Sequence, residues 1–316
     1  MTRYILQRIL YMLFVAFIVS ILVFALLNVL PGDPAMAMLG TNATPEELAN
    51  LRQSLGLNDP LAIRYAKWMG GILHGDLGKS MVSHYPVITL LKERLPATME
   101  LGVLSLVLML VIALPLGVYS ALRPNSTIDL IATTIAVAIA ATPAFWLGIA
   151  LIMVFALWLG LLPTSGYVPF TDDPGANLRS MVLPVLTLGL TSSVMVMRQT
   201  RSAMIEILHQ EYVRTARMKG LHERVVVVRH ALRNALIPVI TVFGFQVGVI
   251  FGGAVVIETV FAIPGMGRLL VDSIRLHRDY PVVQSVTFLL SFVVLIVNLL
   301  VDLSYAVIDP RIRYGK

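Results

Sequence analysis

Cysteine is missing from all 316 positions, which excludes disulfides, thiolate metal sites and a cysteine nucleophile together. Any loop outside a membrane must hold itself by packing. Charged residues are scarce at 13% against 57% hydrophobic, and the mean hydropathy is +0.83. Such a chain cannot turn a polar surface to water on every side, so a bilayer is required. Catalytic constellations are missing too. No Ser/His/Asp set or paired carboxylates stand out, and the six histidines show no metal-ligand spacing. His222-Glu223 is followed by His230, too distant for the zinc-protease pattern. No polar segment carries a basic stripe with interleaved aromatics, which removes nucleic acid as a partner.

What is present is apolar length. About 20 apolar residues in a helix cross the hydrocarbon core, where lipid offers unpaired backbone groups no partner. Runs bounded by charge, Pro or Gly predict spans near 9–30, 98–120, 131–158, 181–199, 236–257 and 284–305. The expectation is an all-α membrane protein with about six transmembrane helices. The third run is over-long and holds Thr142-Pro143, where the ring removes a helical hydrogen bond and kinks or breaks the helix. A count of five or seven spans follows from that ambiguity. The first run follows Arg3 and Arg8, and Ala35-Met36-Ala37 mimics a cleavage site. Its roughly 22 apolar residues exceed the 7–15 of a signal core, so it is expected to remain as a spanning helix.

Lys and Arg favour cytoplasmic loops. With the N-terminus inside, fourteen of the 24 basic residues accompany six acids on the cytoplasmic side, and the remaining ten accompany twelve acids outside. Both termini are then cytoplasmic, and the basic excess lies beside the anionic leaflet. The chain divides into an N-terminal segment with the first span (1–30), a large external loop (31–97), a transmembrane core (98–305) with a cytoplasmic segment at 200–235, and a tail (306–316).

Leu30-Pro-Gly-Asp-Pro34 ends the first span, since Pro cannot continue a helix and Gly tolerates left-handed backbone. In the external loop, Thr44-Pro45-Glu46-Glu47 predicts a short helix through Arg52, with Thr44 as cap and Glu47 completing a capping box. Gly75-Asp-Leu-Gly-Lys-Ser80 superficially resembles a phosphate loop. Its first required glycine position is Leu73 and no buried strand precedes it, so nucleotide binding is not expected there.

The most polar stretch of the apolar half is Glu211-Tyr-Val-Arg-Thr-Ala-Arg-Met-Lys-Gly220, running on through His230, Arg233-Asn234-Ala235 and Pro238. In a helix beginning near Ser202, Ile205, Leu208, Tyr212 and Ala216 share one face, with Gly220 as a left-handed cap. Small Ala216 permits close approach, and Arg214, Arg217 and Lys219 could meet an acidic rim. A basic amphipathic helix lying on the leaflet fits the same pattern. A second helix is expected from His222 into the fifth span, although His222 is a weaker N-cap than Ser or Asn.

Polar residues inside the spans are few: Glu100, Gln246, Asn298 and Asp302. Such residues mark pathways by default, and Gln246 among Gly244, Gly248, Gly252 and Gly253 is the better candidate, although helix packing alone explains the glycines. Glu258 through Pro264, Gly265, Gly267 and Arg268 breaks the fifth span, either as a turn required by geometry or as a gate. Glu258 and Arg268 could pair across it. The absence of a mid-membrane charge cluster and of an internal repeat argues against the alternative class, an ion-coupled carrier.

Together, L-P-G-D-P, G-D-L-G-K-S, the 211–238 stretch, P-G-M-G-R-L, R-D-Y-P and D-P-R-I-R resemble the permease subunits of oligopeptide, dipeptide and nickel ABC importers over nearly the whole chain. The resemblance implies a type I importer permease in a bacterial or archaeal cytoplasmic membrane, forming the pathway for short peptides, with glutathione or nickel as alternatives. It implies a second homologous permease, two cytoplasmic ATPases and an external binding protein, with ATP and Mg bound by the partners and no cofactor or catalytic residue here. Coupling to the ATPases would fall on Glu211, Tyr212, Arg214, Thr215, Ala216, Arg217, Lys219 and Gly220. Pathway or gate residues would be Gln246, Gly248, Glu258, Pro264, Gly265, Gly267 and Arg268.

Overall fold

The computed structural model describes residues 2–29, 34–39, 43–54, 56–277 and 279–308. The stop at Leu30–Asp33 and the tail beyond Ile308 lie outside them. Among the described residues all regular structure is helical. Five helices are long and apolar enough to span a membrane. These are α1 (Thr2–Val29), α5 (Val87–Leu122), α8 (Pro174–Leu208), the helix running from α10 (Glu223–Val225) through α11 (Arg233–Val260), and α13 (Tyr280–Ile308).

The over-long third run is split. α6 (Thr127–Ala140) and α7 (Ala144–Leu151), the latter continuing as a π turn over Ile152–Trp158, meet at a 108° bend around Thr142-Pro143. Pro143 is extended (φ −59°, ψ 137°) and starts α7, as a residue without an N–H can do at no hydrogen-bond cost. The pair still crosses the bundle. It begins at Asp129, bonded to Arg201 near the end of α8, and leads to Tyr167, bonded to Glu100 near the opposite end of α5. That makes six crossings and puts the start of α1 and the end of α13 on one face. The contact between Arg8 of α1 and Asp302 of α13, 3.1 Å, joins those ends directly.

The core is the packing of α5 and α11 against α8, around Leu101, Met109, Met181, Leu183, Ile250 and Ile257. Small residues set the spacing between α5 and α8. A Cβ on Gly117 would lie 2.8 Å from the Met197 carbonyl, and one on Gly189 would lie 2.7 Å from Leu108. Close helix approach through small residues is how membrane helices gain dispersion contacts without a hydrophobic drive between them.

Several helices outrun the expected spans. α5 begins at Val87, so the sequence-derived boundary at 97/98 falls inside a helix. Before it come α2 (Pro34–Leu39), α3 (Pro45–Ser54) and α4 (Leu61–Leu73). Glu47 and Thr44 of α3 form the reciprocal box: the Glu47 amide donates to Thr44 Oγ1 at 3.3 Å, and the Thr44 amide to Glu47 Oε2 at 2.8 Å. Those bonds favour the carboxylate and lower its pKa. A depressed folded pKa adds stability above the unfolded value, lost as pH falls through the folded one. Amide protection of Glu47 and Leu48, taken relative to the intrinsic exchange rate at each pH, should therefore fall as pH drops below the ordinary 4.5, and not in Glu47→Gln.

α4 is fixed by aromatic contacts. Tyr65 and Trp68 lie within 5.5 to 6.4 Å of Phe17 and Phe24 of α1, and Trp68 is 5.7 Å from Phe288 of α13. The Gly75–Ser80 motif is a turn. Ser80 Oγ donates to the buried carboxylate of Asp279 at the start of α13, and the Met81 amide donates to the same group at 3.1 Å. Two sequence motifs 199 residues apart thus form one clasp.

Candidate functional site

The polar segment after α8 is an elbow. α8 ends at Leu208, the His209 ring meets the Ile205 carbonyl at 2.7 Å, and Gln210 is extended (φ −71°, ψ 144°) before α9 (Glu211–Met218) begins. The continuous helix expected from Ser202 to Gly220 is therefore broken at 209–210. The break resets the helical phase, so the shared face differs from the expected one. Val213 and Ala216, not Tyr212, are buried against Val226, Ile207 and Leu208. Tyr212 is 42% exposed.

Gly220 ends α9 in left-handed backbone, φ +75°. Its amide donates to Arg217 O at 2.9 Å and the Leu221 amide to Ala216 O at 3.4 Å, the paired bonds of a Schellman cap. His222 then caps the next helix, accepting from the Arg224 amide at 3.3 Å. That corner is closed rather than loose. Arg217 is committed internally: its guanidinium donates to both Glu223 oxygens at 3.1 and 2.7 Å, which raises the Arg217 pKa. Arg214 and Lys219 stay exposed, beside Met218 and Leu221. Thr215 bonds back to the Glu211 carbonyl at 2.9 Å.

Tyr212 has a role that periodicity does not reveal. Asn234 Nδ2 donates to its hydroxyl at 2.7 Å, and that hydroxyl donates to the His230 carbonyl at 3.4 Å. α9 is thereby tied to the helix leading into the membrane, beside the π turn Val226–Leu232. The contacts of Asn234, Glu223 and Val213 were not read from sequence, although the residues stood in the motifs; the clue to the first two was the run of hydrogen-bonding side chains on both arms. A second brace was also missed. Arg201 and Asp129 form a two-pronged contact, 2.8 Å on each arm, with Asp129 side chain only 3% exposed.

At the opposite end Glu258 is fully buried. Thr98 of α5 donates to Glu258 Oε1 at 2.6 Å, the Arg268 amide donates to Oε2 at 3.0 Å, and the Met266 amide donates to Thr98 at 2.8 Å. The carboxylate thus caps α12 (Met266–Asp272) from the neighbouring helix, filling the need of the first-turn amides. The glycines follow from this: a Cβ on Gly265 would collide with the Glu258 carboxyl, and one on Gly267 with Val255. The side-chain pairing expected between Glu258 and Arg268 is replaced. The Arg268 guanidinium goes to Ala262 O at 2.9 Å and lies 3.8 Å from Asp272. Pro264 lies in the turn that brings Gly265 under Glu258. Gln246 is 5% exposed and donates to the Ser192 carbonyl of α8 at 3.0 Å, while a Cβ on Gly248 would lie 3.8 Å from Val294 of α13. Glu100 accepts from Tyr167 at 2.8 Å; burial, then this bond, raises the Tyr167 pKa.

Six crossings, with a helical elbow carrying exposed cations and apolar tips on one face and a capped turn on the other, define a multi-pass membrane component. The sequence matches two parts of one transport family. Residues 113–314 match the binding-protein-dependent transport system inner membrane component, and residues 1–102 its N-terminal membrane component. A Brucella abortus (strain 2308) protein named as a peptide transport system permease is 42% identical over 99% of this chain and 100% of its own length. The dipeptide transport system permease protein of Escherichia coli (strain K12) is 40% identical over 94% of this chain and 95% of its own. A Sinorhizobium fredii protein named as a peptide ABC transporter permease is 39% identical over 98% and 99%. The chain belongs to the family of binding-protein-dependent transport system inner membrane components, and it is a multi-pass protein of the inner membrane.

Proposed function

We propose that this chain is the permease subunit through which an ATP-driven importer passes short peptides delivered by an external binding protein. The relatives' names support the substrate class. The excess of Lys and Arg on the α9 face supports a cytoplasmic position for that face and for both termini. One of two ATPases docks on α9, and a second permease completes the pathway. ATP and Mg are bound by those partners, and hydrolysis takes place there.

The observation that carries the coupling is the Tyr212–Asn234–His230 tie. A helix held only by its own short apolar face would slide when pushed; one bonded to the next span moves it as a rigid body. Glu211, Arg214, Thr215 and Lys219 form the contact surface. Val213 and Ala216 seat the helix, and Arg217 and Gly220 fix its end. At the outer end, the Glu258 cap with Pro264, Gly265, Gly267 and Arg268 acts as the seat of a gate, while Gln246 and Gly248 set the pathway wall by holding α11 against its neighbours.

The test begins with co-purification in mild detergent. Two ATPases and a second permease are expected; a lone homo-oligomer would overturn the reading. In the reconstituted complex, Tyr212→Phe should keep assembly and ATP hydrolysis while lowering peptide uptake about fivefold, the equivalent of one hydrogen bond of ~1 kcal/mol. Ala216→Trp should abolish uptake by unseating α9. Uptake equal to the parent in both variants would remove α9 from the mechanism.

A further inference from the structure

On the α9 side of the bundle, α5, α11 and α13 part to leave a cavity of about 490 Å³, lined by Leu110 and Leu114, Val239 and Phe243, and Leu300 and Val301. Its walls are hydrocarbon apart from Ser304, whose hydroxyl already donates to the Val301 carbonyl at 2.6 Å. A space walled this way does not hold ordered water. It is closed above by contact of α11 with α13, since a Cβ on Gly244 would lie 3.1 Å from Val301. It opens at the periphery, where Leu300 is 59% exposed.

Cations stand at the mouth. Arg233 lies three residues before Leu236 and seven before Ile240, both lining residues, so it shares their side of α11. Helical side chains lean toward the N-terminus, which carries the guanidinium out of the slot toward the membrane surface. Arg229 lies a turn further out. Both are exposed, and among the described residues neither enters an ion pair. On the same face, Asp302 of α13 is paired with Arg8 of α1 at 3.1 Å.

We propose that this groove binds an anionic phospholipid of the cytoplasmic leaflet, with an acyl chain between α5, α11 and α13 and its phosphate at Arg229 and Arg233. An apolar slot beneath unpaired cations is complementary to a headgroup phosphate above hydrocarbon. A helix of a second permease would fill the slot but would have to bring its own anion to both arginines. The inference rests on the orientation proposed above, which puts the start of α11 in the cytoplasm.

The assembled transporter, delipidated in detergent, is titrated with phosphatidylglycerol or phosphatidylcholine and read by native mass spectrometry. The parent should favour phosphatidylglycerol by roughly 10- to 30-fold, the effect of two cations near an anionic headgroup. Arg229→Gln with Arg233→Gln should bring the two lipids to near parity, and Val239→Trp should remove both. Equal binding in the parent, an unchanged preference in the double variant, or lipid retained after Val239→Trp would overturn the proposal. So would lipid on the isolated chain but not on the assembly, which would assign the slot to a second permease. The chain has no native cysteine, so Arg229→Cys reports orientation separately with a membrane-impermeant maleimide. Labelling from the cytoplasmic side without a lipid preference sinks this inference alone; labelling from the outer side sinks the orientation with it.

Discussion

Replacing Glu258 with alanine should destabilise the protein by about 3 kcal/mol, because each stranded buried donor costs about 1–3 kcal/mol and relief of the carboxylate's own desolvation offsets part of that. The donors are the Thr98 hydroxyl and the amide of Arg268, and both face a fully buried site once the carboxylate is gone. Glu258→Gln keeps the shape but turns an NH2 toward a donor, so it should fall between parent and alanine. Gly265→Ala should resemble Glu258→Ala, since the added methyl collides with the same carboxyl. Thermal unfolding in detergent, with hydrogen exchange over α12, measures this. An alanine variant that unfolds like the parent would show that α12 does not depend on this cap.

The second large effect concerns Asp129 and Arg201. Removing Arg201 should cost about 3–5 kcal/mol, because it leaves the Asp129 carboxylate buried and uncompensated, whereas removing Asp129 should cost less, because the Arg201 side chain keeps 29% of its surface exposed. Asp129 also accepts from the Asn125 amide at 2.9 Å, so Asp129→Asn should be milder than Arg201→Met. The double variant should recover at least half of the larger single loss, since replacing both charges by neutral groups of similar size is often close to neutral. A double variant whose loss equals the sum of the singles would mean that the two residues act independently.

The spanning helices were legible because long apolar runs have few alternatives in lipid, and Thr142-Pro143 marked the break in the third. The capping box at Thr44 was legible because both partners lie three residues apart. The elbow was only half legible: Gly220 announced the end of α9, but nothing in the pattern 205–216 showed that Gln210 would adopt extended backbone. That one residue moved Tyr212 off the buried face and Val213 onto it. The long-range pairs were hidden for a different reason. Asp129 with Arg201, Ser80 with Asp279 and Thr98 with Glu258 are 72, 199 and 160 residues apart, and a single sequence carries no signal of who meets whom at such distances. Their motifs were visible as fragments, and the fold supplied the partners.

The tie from Tyr212 to Asn234 has a directional meaning. α9 joins α8 through a non-helical link at His209–Gln210, but it is bonded by side chains to a helix of 38 residues ending at Val260. At 1.5 Å per residue that helix is a rod about 57 Å long, and Glu258 sits at its far end. Its two compliant points are the π turn at Val226–Leu232 and Pro238. Under the proposed coupling, a thrust delivered to α9 is shed at the swivel on one side and conducted along the rod on the other, to arrive two residues short of its tip at the carboxylate that holds α12.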